Sequence, residues 1–202
     1  MGWMSDETGL EKRRANYVPL TPLSHLNRAA LVFPDHEAVV YGSHRVNYRE
    51  YHARCSALAS ALVGMGVQPG EVVATILPNI PAQAEAHFGV PACGAVLNTI
   101  NIRLDVDTVA YIFDHGEAKV VLVDTQFLGL AEAACAAMDG AAPTIIEVAD
   151  EQAGFPASGK YPSYEDVIAK GDRAFPWIMP EDEWESLSLN YTSGTTGRPK
   201  AW

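Results

Sequence analysis

Positive charge is scarce in this chain. Among 202 residues, Lys and Arg total 14 against 25 Asp and Glu, a net charge of −11. So few counter-charges make a poor match for a nucleic-acid backbone, whose binding rests on neutralising phosphates. The densest basic run, Lys12, Arg13 and Arg14, sits beside Glu11 and reads as part of a solvated segment rather than a binding patch. Cysteine is also rare. Cys55, Cys93 and Cys135 lie about forty residues apart; no pair has metal-ligand spacing, and an odd count is not a disulfide framework. They read as small, mostly buried residues of a reducing compartment. Long apolar runs are missing too: none approaches the roughly 20 residues that span a bilayer. The N-terminal "MGWMSDETGLEKRR" has no apolar signal core, and Asp6 stands where a myristoylation motif needs Ser or Thr. A soluble, cytoplasmic chain with no nucleic-acid partner and no membrane span is expected.

What is present is core-forming material. Hydrophobic residues make up 48% of the sequence, enough for one or two domains. Residues 1–16 read as a flexible, solvated arm and residues 17–202 as the folded part. Thr21-Pro22 suits a helix start, with Leu23, Leu26, Ala30 and Leu31 near helical spacing and Pro34-Asp35 as the stop. "EAVVYGSHRVNY" reads as a hairpin turning at Gly42-Ser43. Tyr48 to Met65 reads as a helix with Tyr51, Cys55, Leu58, Ala59 and Leu62 on its inner face, ended by Gly64 and Gly66.

A rhythm follows. "EVVATILP", "AVLNTI", "AKVVLVD" and "PTIIEVAD" are short, continuous apolar runs, and amphipathic helical segments stand between them. Pro81 opens one helix, and Asp105 and Gly116 bracket another. This alternation predicts an α/β fold, a mostly parallel sheet flanked by helices, with a small β-hairpin near the N-terminus. Crossovers should be right-handed. Residues 151–182 break the pattern, apart from a short helix capped by Ser163 with Glu165 and Asp166 in its first turn. "SLSLNY" then alternates as a final strand.

That strand leads into "YTSGTTGRPK", Tyr191 to Lys200. Small residues let backbone N–H groups turn around an anion, and the hydroxyls of Thr192, Ser193, Thr195 and Thr196 add donors. Lys200 adds a mobile positive charge. The string is not the nucleotide-triphosphatase P-loop, because Arg198 and Pro199 separate Gly197 from Lys200. Composition alone leaves a phosphate loop and a frayed polar terminus both open.

The literal string carries more. "YTSGTTGRPK" resembles, over ten consecutive positions, the signature of the adenylate-forming (AMP-binding) enzymes: acyl-CoA synthetases, firefly-type luciferases and peptide-synthetase adenylation domains. The resemblance extends through "PDHEAVVYGSHRVNYREYHARCSALASAL", "GEVVATILPNIPAQAEAHFGVPACGAVLNTINIRL" and "HGEAKVVLVD". "DEWESLSLNYTSGTTGRPK" most resembles the synthetases of short, medium or aromatic acids.

The resemblance implies ATP-dependent activation of a carboxylic acid to an acyl-adenylate, then capture by coenzyme A. Thr192, Ser193, Gly194, Thr195, Thr196 and Gly197 would wrap the β- and γ-phosphates, and Lys200 would neutralise the departing pyrophosphate. Mg2+ would bridge phosphate oxygens and a Thr hydroxyl. Arg198 and Pro199 read as spacers. Family members are far longer, so the resemblance also implies a partial N-terminal AMP-binding domain, inactive alone. Acyl pocket, metal-binding glutamate and C-terminal domain would lie elsewhere, and exposed sheet edges would favour self-association. A non-catalytic interaction module, or part of another adenylating enzyme, are the competing readings. His87, Trp184 and Tyr191 read as packing residues, and Asn98, Asn101 and Arg103 as a structural turn.

Overall fold

The sheet is built from four mainly apolar runs. In the computed structural model, which describes residues 9, 11–13, 15–192 and 200–201, they become β3 (Val72–Ile76), β4 (Val96–Thr99), β5 (Ala118–Asp124) and β6 (Thr144–Val148). All pairs are parallel, in the order β4-β3-β5-β6. Side chains alternate between two cores, which is why apolar residues stand at successive positions of these runs rather than at every second one. Val73, Leu97, Val120, Leu122, Ile146 and Val148 face one core; Ala74, Ile76, Val121, Val123 and Ile145 face the other.

The first core is closed by α2 (Tyr48–Gly64), α3 (Pro81–Ala92) and α6 (Tyr164–Ala169), and the second by α4 (Val106–His115) and α5 (Leu128–Ala137). Caps set the helix starts. Asn47, Asp105 and Ser163 accept the N–H groups of Glu50, Thr108 and Asp166 at 2.9, 2.9 and 3.1 Å, each satisfying a donor the helix cannot. Tyr51, Cys55, Leu58, Ala59 and Leu62 are all buried as the helical spacing predicts. Gly89 lets α3 lie close on α2: a Cβ there would fall 2.7 Å from Leu58 Cδ2 and 3.0 Å from the Cys55 carbonyl oxygen. The hairpin is β1 (Glu37–Tyr41) with β2 (His44–Asn47), turning at Gly42 with φ +54°.

The first helix, α1 (Leu23–Val32), forms as its spacing predicts and buries Leu23 and Leu26, while Leu31 is 82% exposed. Two expectations are corrected. Trp184 is 93% exposed rather than packed; Asp182 Oδ1 accepts the Trp184 N–H at 3.0 Å in a turn that leaves the indole outside. "SLSLNY" does not form a regular strand. It meets β4 at a single parallel bridge, Leu97 with Ser188, through Leu97 N–H to Leu187 O and Leu189 N–H to Leu97 O. The opposite edge is met likewise by Ser163 at Glu147. Both outer strands are therefore partly covered by irregular chain.

Candidate phosphate-binding site

The Thr/Gly motif begins and ends on the same small ladder. β7 (Tyr191–Thr192) pairs antiparallel with β8 (Lys200–Ala201), Tyr191 opposite Ala201 and Thr192 opposite Lys200. Directly opposed residues share one face of an antiparallel pair, with Cα atoms about 4.5–5.5 Å apart. The structure thus brings the first hydroxyl of the motif together with its lysine, and both residues are exposed. Ser193, Gly194, Thr195, Thr196 and Gly197, with Arg198 and Pro199, lie outside the described residues. A hydroxyl beside an ammonium group suits an anion, since one donates a hydrogen bond and the other supplies charge.

The ladder is short, and Tyr191 anchors it to α4. The Tyr191 hydroxyl lies 2.8 Å from His115 Nδ1. Its ring stands edge-on to His115 and to Tyr111, at centroid distances of 5.7 and 6.5 Å. Burial, and secondarily Tyr111, pushes the Tyr191 phenol upward, so it stays protonated at neutral pH. Gly116, the C-cap of α4, makes room: a Cβ there would sit 2.8 Å from the Ile112 carbonyl oxygen and 3.3 Å from both Leu189 Cδ2 and Tyr191 Oη. Tyr191 does pack, as its sequence context predicts, against the α4–α5 core. His115 was not legible as its partner, since 76 residues separate them and no motif links the two.

A cleft lies elsewhere. A cavity of about 600 Å³ opens between α3 and β1, with a mainly apolar lining that includes Tyr51, Ile80, Phe88 and Leu97. It adjoins a smaller, more polar cavity of about 330 Å³ at the carboxyl ends of β3 and β4, and the two share Asn79, Gln83 and His87. Carboxyl ends of parallel strands are where open α/β sheets bind ligands. Neither Thr192 nor Lys200 lines either cavity; Leu187 and Ser188, just before the ladder, line the larger one. His87 is exposed rather than packed, and its Nδ1 lies 2.7 Å from the Gln83 carbonyl oxygen, a contact within its own helix. Asn101 Oδ1 accepts the Arg103 N–H at 3.0 Å, a turn contact, while Asn98 is buried within β4.

Among the described residues, no group of three or more His, Cys, Asp or Glu side chains could hold a metal ion. The donors at Thr192 and Lys200 suit phosphate oxygens rather than a bare cation, so magnesium at such a site would be carried mainly by the phosphates, as this ion prefers. No helix of the described residues is long and apolar enough to cross a membrane.

A parallel four-stranded sheet with helices on both faces defines an α/β protein. The profile of the AMP-binding enzymes matches residues 26–201, and the chain belongs to that family. It is 45% identical to the peroxisomal acetate/butyrate–CoA ligase of Arabidopsis thaliana, over 96% of this chain and 36% of that protein. It is 41% identical to the 2-methylpropanoate–CoA ligase of Humulus lupulus, over 95% of this chain and 35% of that one. The chain therefore spans about a third of the length of these relatives. Its fold matches the crystal structure of an anthranilate–CoA ligase in complex with anthranoyl-AMP at a TM-score of 0.82 and 24% identity, over 94% of this chain and 36% of that one. A long-chain-fatty-acid–CoA ligase from Archaeoglobus fulgidus matches at 0.77 and 20% identity, over 92% and 36%.

Proposed function

We propose that this chain carries the ATP-phosphate-binding part of an AMP-forming acid–CoA ligase. The observation that carries the reading is the ladder that sets Lys200 opposite Thr192 at the two ends of the Ser/Thr/Gly motif. ATP supplies the activated phosphoryl group that a carboxylate attacks. The chain's part is to hold the β- and γ-phosphates through Thr192, Ser193, Gly194, Thr195, Thr196 and Gly197. Lys200 then stabilises the charge that develops as pyrophosphate leaves. The named substrates of the two plant relatives point to a short carboxylic acid, with coenzyme A as the acceptor. The acid and coenzyme A sites need more of the ligase than this chain spans. Acting alone, it releases no pyrophosphate and binds ATP weakly, because a free loop loses ordering entropy on binding.

Titrating the chain with ATP and magnesium while following the backbone amide signals of Thr192 and Lys200 tests the reading. Saturable shifts, weakened about tenfold or more by Lys200→Ala, are expected. Shifts that are absent, or that Lys200→Ala leaves unchanged, would refute it.

A further inference from the structure

We propose that His115 is a positioning residue for the phosphate loop: its imidazole, at the last turn of α4, fixes Tyr191 and so holds the loop's stem in place. The proposal rests on the phosphate-binding reading above and adds to it the residue that keeps the stem ordered. Tyr191 immediately precedes Thr192, and its hydroxyl meets His115 Nδ1 at 2.8 Å. Tyr111, one helical turn earlier on α4, completes a three-ring cluster, with its ring 5.3 Å from that of His115.

The ladder needs such a hold. Its described part has two residue pairs, and a two-stranded hairpin is marginal in water. The preceding segment offers little help, since it meets β4 at a single bridge. Among the described residues, the Tyr191 side chain meets α4 through His115 and Tyr111. His115 itself is exposed, so the core does not require it. Its bond to Tyr191 also survives a change of tautomer. With the proton on Nε2, the ring accepts from the tyrosine hydroxyl; with the proton on Nδ1, or with both nitrogens protonated, it donates to Oη. This is the behaviour of a strut. Fixing the stem beforehand lowers the ordering cost when a polyphosphate arrives.

The test compares the parent chain with His115→Ala, His115→Asn, Tyr191→Phe and the His115→Ala/Tyr191→Phe double variant. Hydrogen exchange is read at the amides of Thr192 and Ala201, pyrophosphate binding by titration with the magnesium salt, and global stability by urea unfolding. His115→Ala and Tyr191→Phe should each speed exchange and weaken pyrophosphate binding about three- to tenfold, the range for loss of one hydrogen bond. The urea midpoint should stay put. Asn places an amide near the position of Nδ1, so His115→Asn should recover most of the loss. The double variant should be no worse than either single one, because both remove the same bond. Unchanged exchange and binding in His115→Ala, or fully additive losses in the double variant, would overturn the proposal. Pyrophosphate failing to bind even the parent chain would overturn the phosphate reading instead, while the exchange rates would still decide whether His115 holds the stem.

Discussion

Arg54 of α2 and Glu85 of α3 form a two-pronged ion pair beneath the surface, Nε to Oε1 at 2.6 Å and Nη2 to Oε2 at 3.1 Å. Glu85 is 2% exposed. Its Oε2 also accepts the Tyr164 hydroxyl at 2.7 Å, and Arg54 reaches on to Glu165 at 2.7 and 3.0 Å. One guanidinium thus ties three helices that come from distant parts of the chain. Burial alone would lower the arginine's affinity for its proton, but the bonds to Glu165 and Glu85 more than offset it, and the group is held charged.

Removing one partner should therefore cost more than removing both. Arg54→Met strands a buried carboxylate and is expected to lose about 3–5 kcal/mol of stability. The paired change Arg54→Met/Glu85→Leu should recover part of that, since it removes the stranded charge but leaves the buried Tyr164 hydroxyl without its acceptor. Glu165→Gln, at the exposed end, should cost less than about 1 kcal/mol. Urea unfolding of the three variants checks the order. A double variant no better than Arg54→Met would show that the pair itself, and not the stranded charge, sets the cost.

Gly171 marks a second tight contact, where the chain leaves α6 and crosses α2. A Cβ there would lie 2.0 Å from the Ala57 carbonyl oxygen and 2.7 Å from its carbonyl carbon. Both atoms are helix backbone and cannot swing aside. Gly171→Ala is expected to destabilise by about 3 kcal/mol, the upper end of overpacking losses. Gly129→Ala in α5, where nothing lies within 4 Å of the added carbon, should instead be neutral or stabilising by up to about 1 kcal/mol. Thermal unfolding of the two variants distinguishes them, and equal midpoints would contradict the packing account.

The elements that local chemistry determines were the legible ones. Asp105 and Ser163 cap helices where their sequence context places them, Gly42 turns the hairpin, and the four apolar runs become one parallel sheet. Thr192 and Lys200 stand opposite each other on the β7–β8 ladder, a pairing that the motif's spelling alone does not give. What escaped depends on how distant segments return. Nothing near Trp184 says that its turn leaves the ring in solvent, and nothing near Arg54 names Glu165, 111 residues away. The contact between His115 and Tyr191 is of the same kind: each is an ordinary surface residue until α4 and β7 come together.

Two buried carboxylates at the β5–β6 end of the sheet should pull the pH dependence of stability in opposite directions. Glu147, 1% exposed, accepts hydrogen bonds from Ser158 N–H, from Ser158 Oγ at 2.9 Å and from Thr125 Oγ1 at 3.0 Å. Burial pushes its proton affinity up, but these bonds outweigh that and hold it below its ordinary 4.5. A lowered acid stabilises the fold above its ordinary value, and that stability is lost as pH falls through the folded value. Asp124, also buried, has Oδ2 without a partner among the described residues and is raised above its ordinary 3.8, mainly by burial, against the Gln126 N–H that lowers it, with Asp150 adding to the rise. A raised acid binds its proton more tightly folded than unfolded, so stability falls as pH rises from about 3.8 through the folded value, and the cost then stays constant to neutrality. Glu147→Gln is thus expected to lose about 1–3 kcal/mol at pH 7, because a neutral amide replaces an ionised carboxylate as the acceptor for Ser158 and Thr125, with the gap to the parent narrowing below pH 4.5. Asp124→Asn keeps an oxygen for the Gln126 N–H, now at 2.8 Å from Oδ1, and removes the buried charge. It should gain stability at pH 7 and lose that gain below pH 3.8. Urea unfolding of both variants and the parent at pH 3 and pH 7 reads the two signs directly, and an Asp124→Asn variant less stable than the parent at pH 7 would show that its carboxylate is better solvated than its burial implies.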